Sequence, residues 1–163
     1  MKKFEFTGET KTLPDGTVLH RIKALVRINF KMANVKVGDI GGWIEKEDNL
    51  SHNGDAWVYG DALVSGNAEV SGNARVSGDA GVFRVEHYLV MGPIGSRNAF
   101  TTFFRTKDGR IKVVCGCFFG TIDEFLAKVK QTHGNSKHAK VYRAAVEVAL
   151  AQLEDIERRN NYA

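Results

Sequence analysis

Sulfur is scarce in this chain of 163 residues, which has two cysteines and three methionines. Cys115 and Cys117 stand one residue apart, a spacing that permits a strained disulfide at best and supplies half of a zinc site. A disulfide scaffold is excluded, no metal is assigned, and both cysteines are expected to behave as buried small hydrophobes. The two prolines, Pro14 and Pro93, are expected in a turn and a loop. No apolar run approaches the ~18 residues that span a bilayer. The opening residues, MKKFEFTGE, lack the apolar core of a signal peptide, so a cytoplasmic location and no membrane partner are expected. A hydrophobic fraction of 43% with 26% charge is ordinary for a folded globular chain. The length suits one compact domain or two small ones.

Recognisable catalytic arrangements are lacking too. His20, His52, His87, His133 and His138 are scattered, and none has an Asp or Glu at a spacing that makes a dyad. A Ser-His-Asp set, paired carboxylates, a Walker loop and a Rossmann fingerprint are all absent. No catalytic residue and no cofactor is assigned. Whether the chain is an enzyme stays open, with the balance against it.

Positive charge is missing from the first half. Residues 1–83 carry 10 Lys and Arg against 11 Asp and Glu, a net of −1, whereas residues 84–163 carry 13 against 8, a net of +5. The surplus in the C-terminal half suggests an anionic partner there. It is too mild and too dispersed for a duplex footprint, so nucleic acid is not expected as a partner.

What is abundant is a repeat. DAWVYG, DALVSG, NAEVSG, NARVSG and DAGVFR follow one another from Asp55 to Arg84, with valine at one phase (Val58, Val64, Val70, Val76, Val82) and alanine at another (Ala56, Ala62, Ala68, Ala74, Ala80). Valine fills the interior at mid-strand, and alanine fits the narrower space by the next corner. Gly and Asn or Asp tolerate the unusual backbone of the corner itself. The pattern resembles the left-handed parallel β-helix of hexapeptide-repeat proteins. The segment GDIGGWIEKEDNLSHNG reads as an irregular first coil. So short a stack must cap or bury its ends, for which Trp43 and Trp57 are candidates. The hexapeptide resemblance implies a homotrimer.

The expected fold is therefore mainly β with an α+β C-terminal part. Residues 1–37 would form a hairpin region, turning at Leu13-Pro14-Asp15-Gly16; residues 38–84 a short left-handed β-helix; residues 85–163 a small antiparallel sheet with two helices. In the last unit, strands are expected at Val85–Met91, Ala99–Arg105 and Arg110–Cys117. Thr121 and Glu124 form a capping box that starts a helix running to about Gln131. A long helix follows from about Lys137 to Arg158. Its stripe of Ala139, Tyr142, Val146, Ala149, Leu153 and Ile156 suits packing on the protein's own sheet or a coiled-coil seam.

The strand–GCFFGT–helix segment is the strongest candidate site. Gly116 and Gly120 allow close approach of a ligand, and the helix start at Thr121 favours an anion. Ser96, Arg97, Arg105 and Lys112 supply donors and charge, with paired donors on the arginines that match phosphate oxygens. Phe118 supplies a surface on which a base can stack. The ligand-binding residues expected are thus Ser96, Arg97, Arg105, Lys112, Phe118, Gly120 and Thr121, and the partner is a small anionic, nucleotide-like molecule.

Over its whole length the chain resembles a group of tailed-phage and prophage proteins. The segments that carry this are VKVGDIGGWIEKEDNLSHNGDAWVYGDA, the hexads after it, and IKVVCGCFFGTIDEFLAKVKQTHG followed by a tyrosine-bearing helix. The resemblance implies a location in the host cytoplasm. By analogy with small phage proteins that soak up immune messengers, it also implies a homo-oligomer that sequesters a phosphorylated ligand such as a cyclic nucleotide. The alternatives are a hexapeptide-type acyltransferase, for which only His52 and His87 flank the repeat, and a structural, virion or host-protein-binding role.

Overall fold

In the computed structural model, which describes residues 1–30 and 34–154, the chain opens as a hairpin. Strand β1 (Phe4–Thr12) pairs antiparallel with β2 (Val18–Ala24), from Phe4 opposite Ala24 to Thr12 opposite Val18. Asp15 closes the turn by accepting the Thr17 amide at 2.9 Å, the local bond that makes Asp a turn former. A two-residue pair, β3 (Ile28–Asn29) with β4 (Asn34–Val35), leads to β5 (Ile40–Ile44), which lies antiparallel against β2.

The repeat region contributes only two-residue strands: β6 (Trp57–Val58), β7 (Leu63–Val64), β8 (Arg75–Val76) and β9 (Gly81–Val82). The interior phases of the hexads are as the side chains demand, since all five valines and all five alanines are at most 1% exposed. The corner glycines Gly60, Gly66, Gly72 and Gly78 adopt φ of 54°, 64°, 66° and 63°, angles that disfavour a side chain. The expected fold class nevertheless needs correction. The sheets are small and mixed or antiparallel, and no parallel β-helix solenoid is formed. Among the described residues, parallel pairing is confined to β5–β7–β9, to β6–β8 and to a single Leu50–Val70 bridge. The largest sheet, ordered β1-β2-β5-β7-β9, is continued by the antiparallel hairpin. The physical reason is length. Two pairing residues per hexad make a weak ladder, and the free edge of β5 is satisfied by β2.

Polar side chains lock the corners. Asn49, fully buried, donates to Ala68 O at 2.8 Å and Gly66 O at 3.2 Å, and its own carbonyl accepts the Lys46 amide. Lys3 donates to Ala56 O at 2.7 Å.

After a 3₁₀ turn at Val85–His87, where a strand start was expected, a four-stranded antiparallel sheet follows: β10 (Tyr88–Ile94), β11 (Ala99–Arg105), β12 (Ile111–Cys115) and β13 (Phe118–Thr121). The fourth strand is an addition to the three expected. Two helices cover one face, α1 (Ile122–His133) and α2 (Lys137–Leu153). Alternation along the strands splits the core in two. Phe104 and Val114 join the hexad interior with Phe4, Ile22 and Trp57. Phe103 and Val113 pack against Phe125, Val129, Tyr142 and Val146 of the helices. The stripe on α2 therefore packs on its own sheet: Ala139, Tyr142, Val146, Ala149 and Leu153 are all buried there. Ile156 and Arg158 lie outside the described residues. No helix of the described residues is long and apolar enough to cross a membrane.

Candidate functional site

Two hairpin turns lie at the same end of the four-stranded sheet. Residues 95–98 connect β10 to β11, and Gly116 with Cys117 connects β12 to β13. On the helix-covered face beside these turns is a cleft of about 200 Å³. Ser96 and Arg97 come from the first turn, Cys117 and Phe118 from the second, Lys128, Thr132 and His133 from α1, and Tyr142 from α2. Its floor is aromatic. Phe118 and Tyr142 each lie 5.5 Å from Phe125 between ring centroids, and His133 lies 5.8 Å from Tyr142.

Tyr142 is the pivot of this floor. Its hydroxyl accepts from the Cys115 thiol at 3.8 Å, and Cys115 Sγ accepts from Thr101 Oγ1 at 3.3 Å. Burial pushes the Tyr142 phenol up to about 12; the Cys115 sulfur adds to the rise, and the charge of nearby Arg97 opposes it. Gly95, with φ of 77°, sits directly on that hydroxyl, so a Cβ there would collide with it. The turn therefore requires glycine both for its angle and for its contact. Around the rim stand Arg97 and Lys128, and no Asp or Glu is among the described residues that line the cleft. The arrangement can hold an anion at its cationic edge and a flat group on its floor.

Of the residues expected from the sequence, Ser96, Arg97 and Phe118 meet in this cleft. The other four do not reach it. Arg105 ends a seven-residue strand that begins at Ala99, so at about 3.3 Å per residue it lies about 20 Å from the turns. There its Nη1 stands 3.4 Å from His87 Nε2. Lys112 forms an ion pair with Asp79 at 3.0 Å and lies over Phe119. Gly120 and Thr121 are absorbed in the cap of α1. Glu124 N donates to Thr121 Oγ1 at 3.2 Å, and Thr121 N donates to Glu124 Oε2 at 3.1 Å. The Glu124 carboxylate covers the helix start, and a Cβ on Gly120 would strike it.

Sequence reasoning missed Lys128, Thr132, His133 and Tyr142. A signal existed for the first two: they are four residues apart on α1, on the side of buried Phe125 and Val129, which brings them to one edge of its packed face. The expectation that both cysteines are buried needs correction, since Cys115 is half-buried and Cys117 is exposed. Nothing in the C-G-C spacing distinguishes the two until the turn is built.

Among the described residues, no three His, Cys, Asp or Glu side chains cluster closely enough to hold a metal ion. No protein-family model matches the chain, and a search of curated proteins finds no match.

Proposed function

We propose that this chain is a binding protein for a small phosphorylated ligand, held in the cleft between the two hairpin turns and the helix pair. The observation that carries this reading is electrostatic: Arg97 and Lys128 converge on an aromatic floor, with no carboxylate among the described residues of the lining. Arg97 would take phosphate oxygens with paired donors. Lys128 would add a point charge and Ser96 a hydroxyl donor, and Phe118 would offer its ring to the organic part of the ligand. Binding is the activity these groups suit, and sequestration is its simplest use. The resemblance to phage proteins supports the further reading that the ligand is a nucleotide messenger of bacterial immunity, kept from its receptor.

Titration calorimetry with inorganic phosphate, sugar phosphates and nucleotides tests this. Arg97→Ala is expected to weaken binding by about 1.5–3 kcal/mol, as for a lost charge-assisted hydrogen bond. Absence of binding by the wild-type protein across that panel defeats the reading. Mass spectrometry of small molecules released from protein purified out of infected cells would name the messenger.

A further inference from the structure

The helix-covered cleft has a neighbour on the other face of the same sheet. This second cleft, also about 200 Å³, is lined by Asn29, Asn73 and Asn98, by Phe30 and Phe100, and by Arg75. The two clefts share Ala99 and Gly116. They open on opposite faces, because Cys115 and Tyr142 of the first belong with the helix-side core, whereas Phe30 of the second packs on the hexad core. What separates them is the rim between the turns. Gly116, which lines both clefts, has φ of 60° and no side chain to block passage.

We propose that the second cleft is a nucleobase pocket, and that the ligand is a nucleotide laid across this rim with its phosphate against Arg97 and Lys128. This rests on the phosphate reading of the first cleft and adds the place where the base would be held. The Asn73 amide offers a donor and an acceptor and the Asn29 amide a donor, its Oδ1 already accepting from Arg27 Nε at 2.9 Å; such groups complement a base edge. Two phenylalanine rings, Phe100 at 36% exposure, offer stacking surfaces. An inorganic anion or sugar phosphate would use neither set of groups. An apolar ligand would leave the Asn73 amide unsatisfied on desolvation. A planar heterocycle uses both.

Arg75 ties this pocket to the rim. Its Nη1 donates to Gly116 O at 2.8 Å, its backbone amide donates to Thr102 Oγ1 at 3.0 Å, and its guanidinium lies over Phe30 at 5.1 Å. Its Nε is buried without a hydrogen-bond partner among the described residues. The side chain is thus fixed as a wall, holding the rim and the Phe30 ring in register.

The test is calorimetry with inorganic phosphate, ribose 5-phosphate, AMP, GMP, UMP and cyclic AMP on four proteins: wild type, Asn73→Asp, Phe100→Ala and Arg97→Ala. Asn73→Asp retains corner chemistry, since Asp55, Asp61 and Asp79 occupy the equivalent hexad position. Phe100→Ala trims an exposed ring and keeps the test valid if the first variant fails to fold. At least one nucleotide should bind the wild type about tenfold or more tightly than ribose 5-phosphate, the gain expected from one stacked base. Asn73→Asp and Phe100→Ala should each cut that ratio about fivefold or more. Phe100→Ala should leave the affinity for ribose 5-phosphate unchanged. Equal affinity for ribose 5-phosphate and every nucleotide, with both weakened by Arg97→Ala, overturns the base pocket and spares the phosphate site. Failure of all six probes to bind overturns both.

Discussion

Lys3 shows how a single charge can be set by its surroundings. It is 2% exposed and donates to Ala56 O, and burial pulls its ammonium from 10.5 down to about 8. Between those values the folded protein has released this proton while the unfolded chain still holds it, so the unfolded state binds more protons and stability rises with pH. Urea denaturation of the wild type against Lys3→Met should show their difference moving in favour of the wild type from pH 8 to 10.5; a flat difference would refute the linkage. Gly95 makes the opposite point, that one missing methyl can matter. Gly95→Ala must carry a side chain at positive φ and displace the Tyr142 hydroxyl, so a loss of about 2 kcal/mol is expected in urea denaturation. Ligand affinity should fall with it, because the collision is in the cleft floor.

The capping box of α1 separates stability from binding. Thr121→Ala removes the acceptor for Glu124 N and should cost about 1 kcal/mol. It should leave ligand affinity unchanged, because the helix start is occupied by its own carboxylate and lies outside the cleft. A loss of affinity comparable to that of Arg97→Ala would return the anion to the helix terminus. The box itself was legible as Thr-x-x-Glu. Its closure on itself was not, because the same four residues can donate their amides outward or inward. The fourth strand, Phe118–Thr121, was equally hidden, because four residues become a strand only when a partner, β12, supplies hydrogen bonds.

At the scale of the whole molecule, Phe104 and Val114 lie in one buried cluster with Trp57, Phe4 and the hexad valines. Both tryptophans are in the N-terminal half and both helices in the C-terminal half, so two optical probes report the two regions separately. Tryptophan fluorescence and helical circular dichroism should follow one coincident unfolding transition. Phe104→Ala should shift both by about 3–5 kcal/mol. Two resolved transitions, with only one moved by the substitution, would show that the shared cluster does not couple the halves.

The amino-acid order alone determined which residues turn inward in the hexads, where the corners fall, the N-terminal hairpin and the packing stripe of the last helix. Each is a local matter of period, branching or backbone angle, and neighbours in sequence suffice to decide it. Only tertiary structure decided that the repeats enter a mixed sheet, that Arg97 and Phe118 meet Lys128 and Tyr142, and that Arg105 and Lys112 face other partners. Those outcomes depend on which strand edge finds which hydrogen-bond partner and on which sheet face each side chain takes, and both are settled by contacts between residues far apart along the chain.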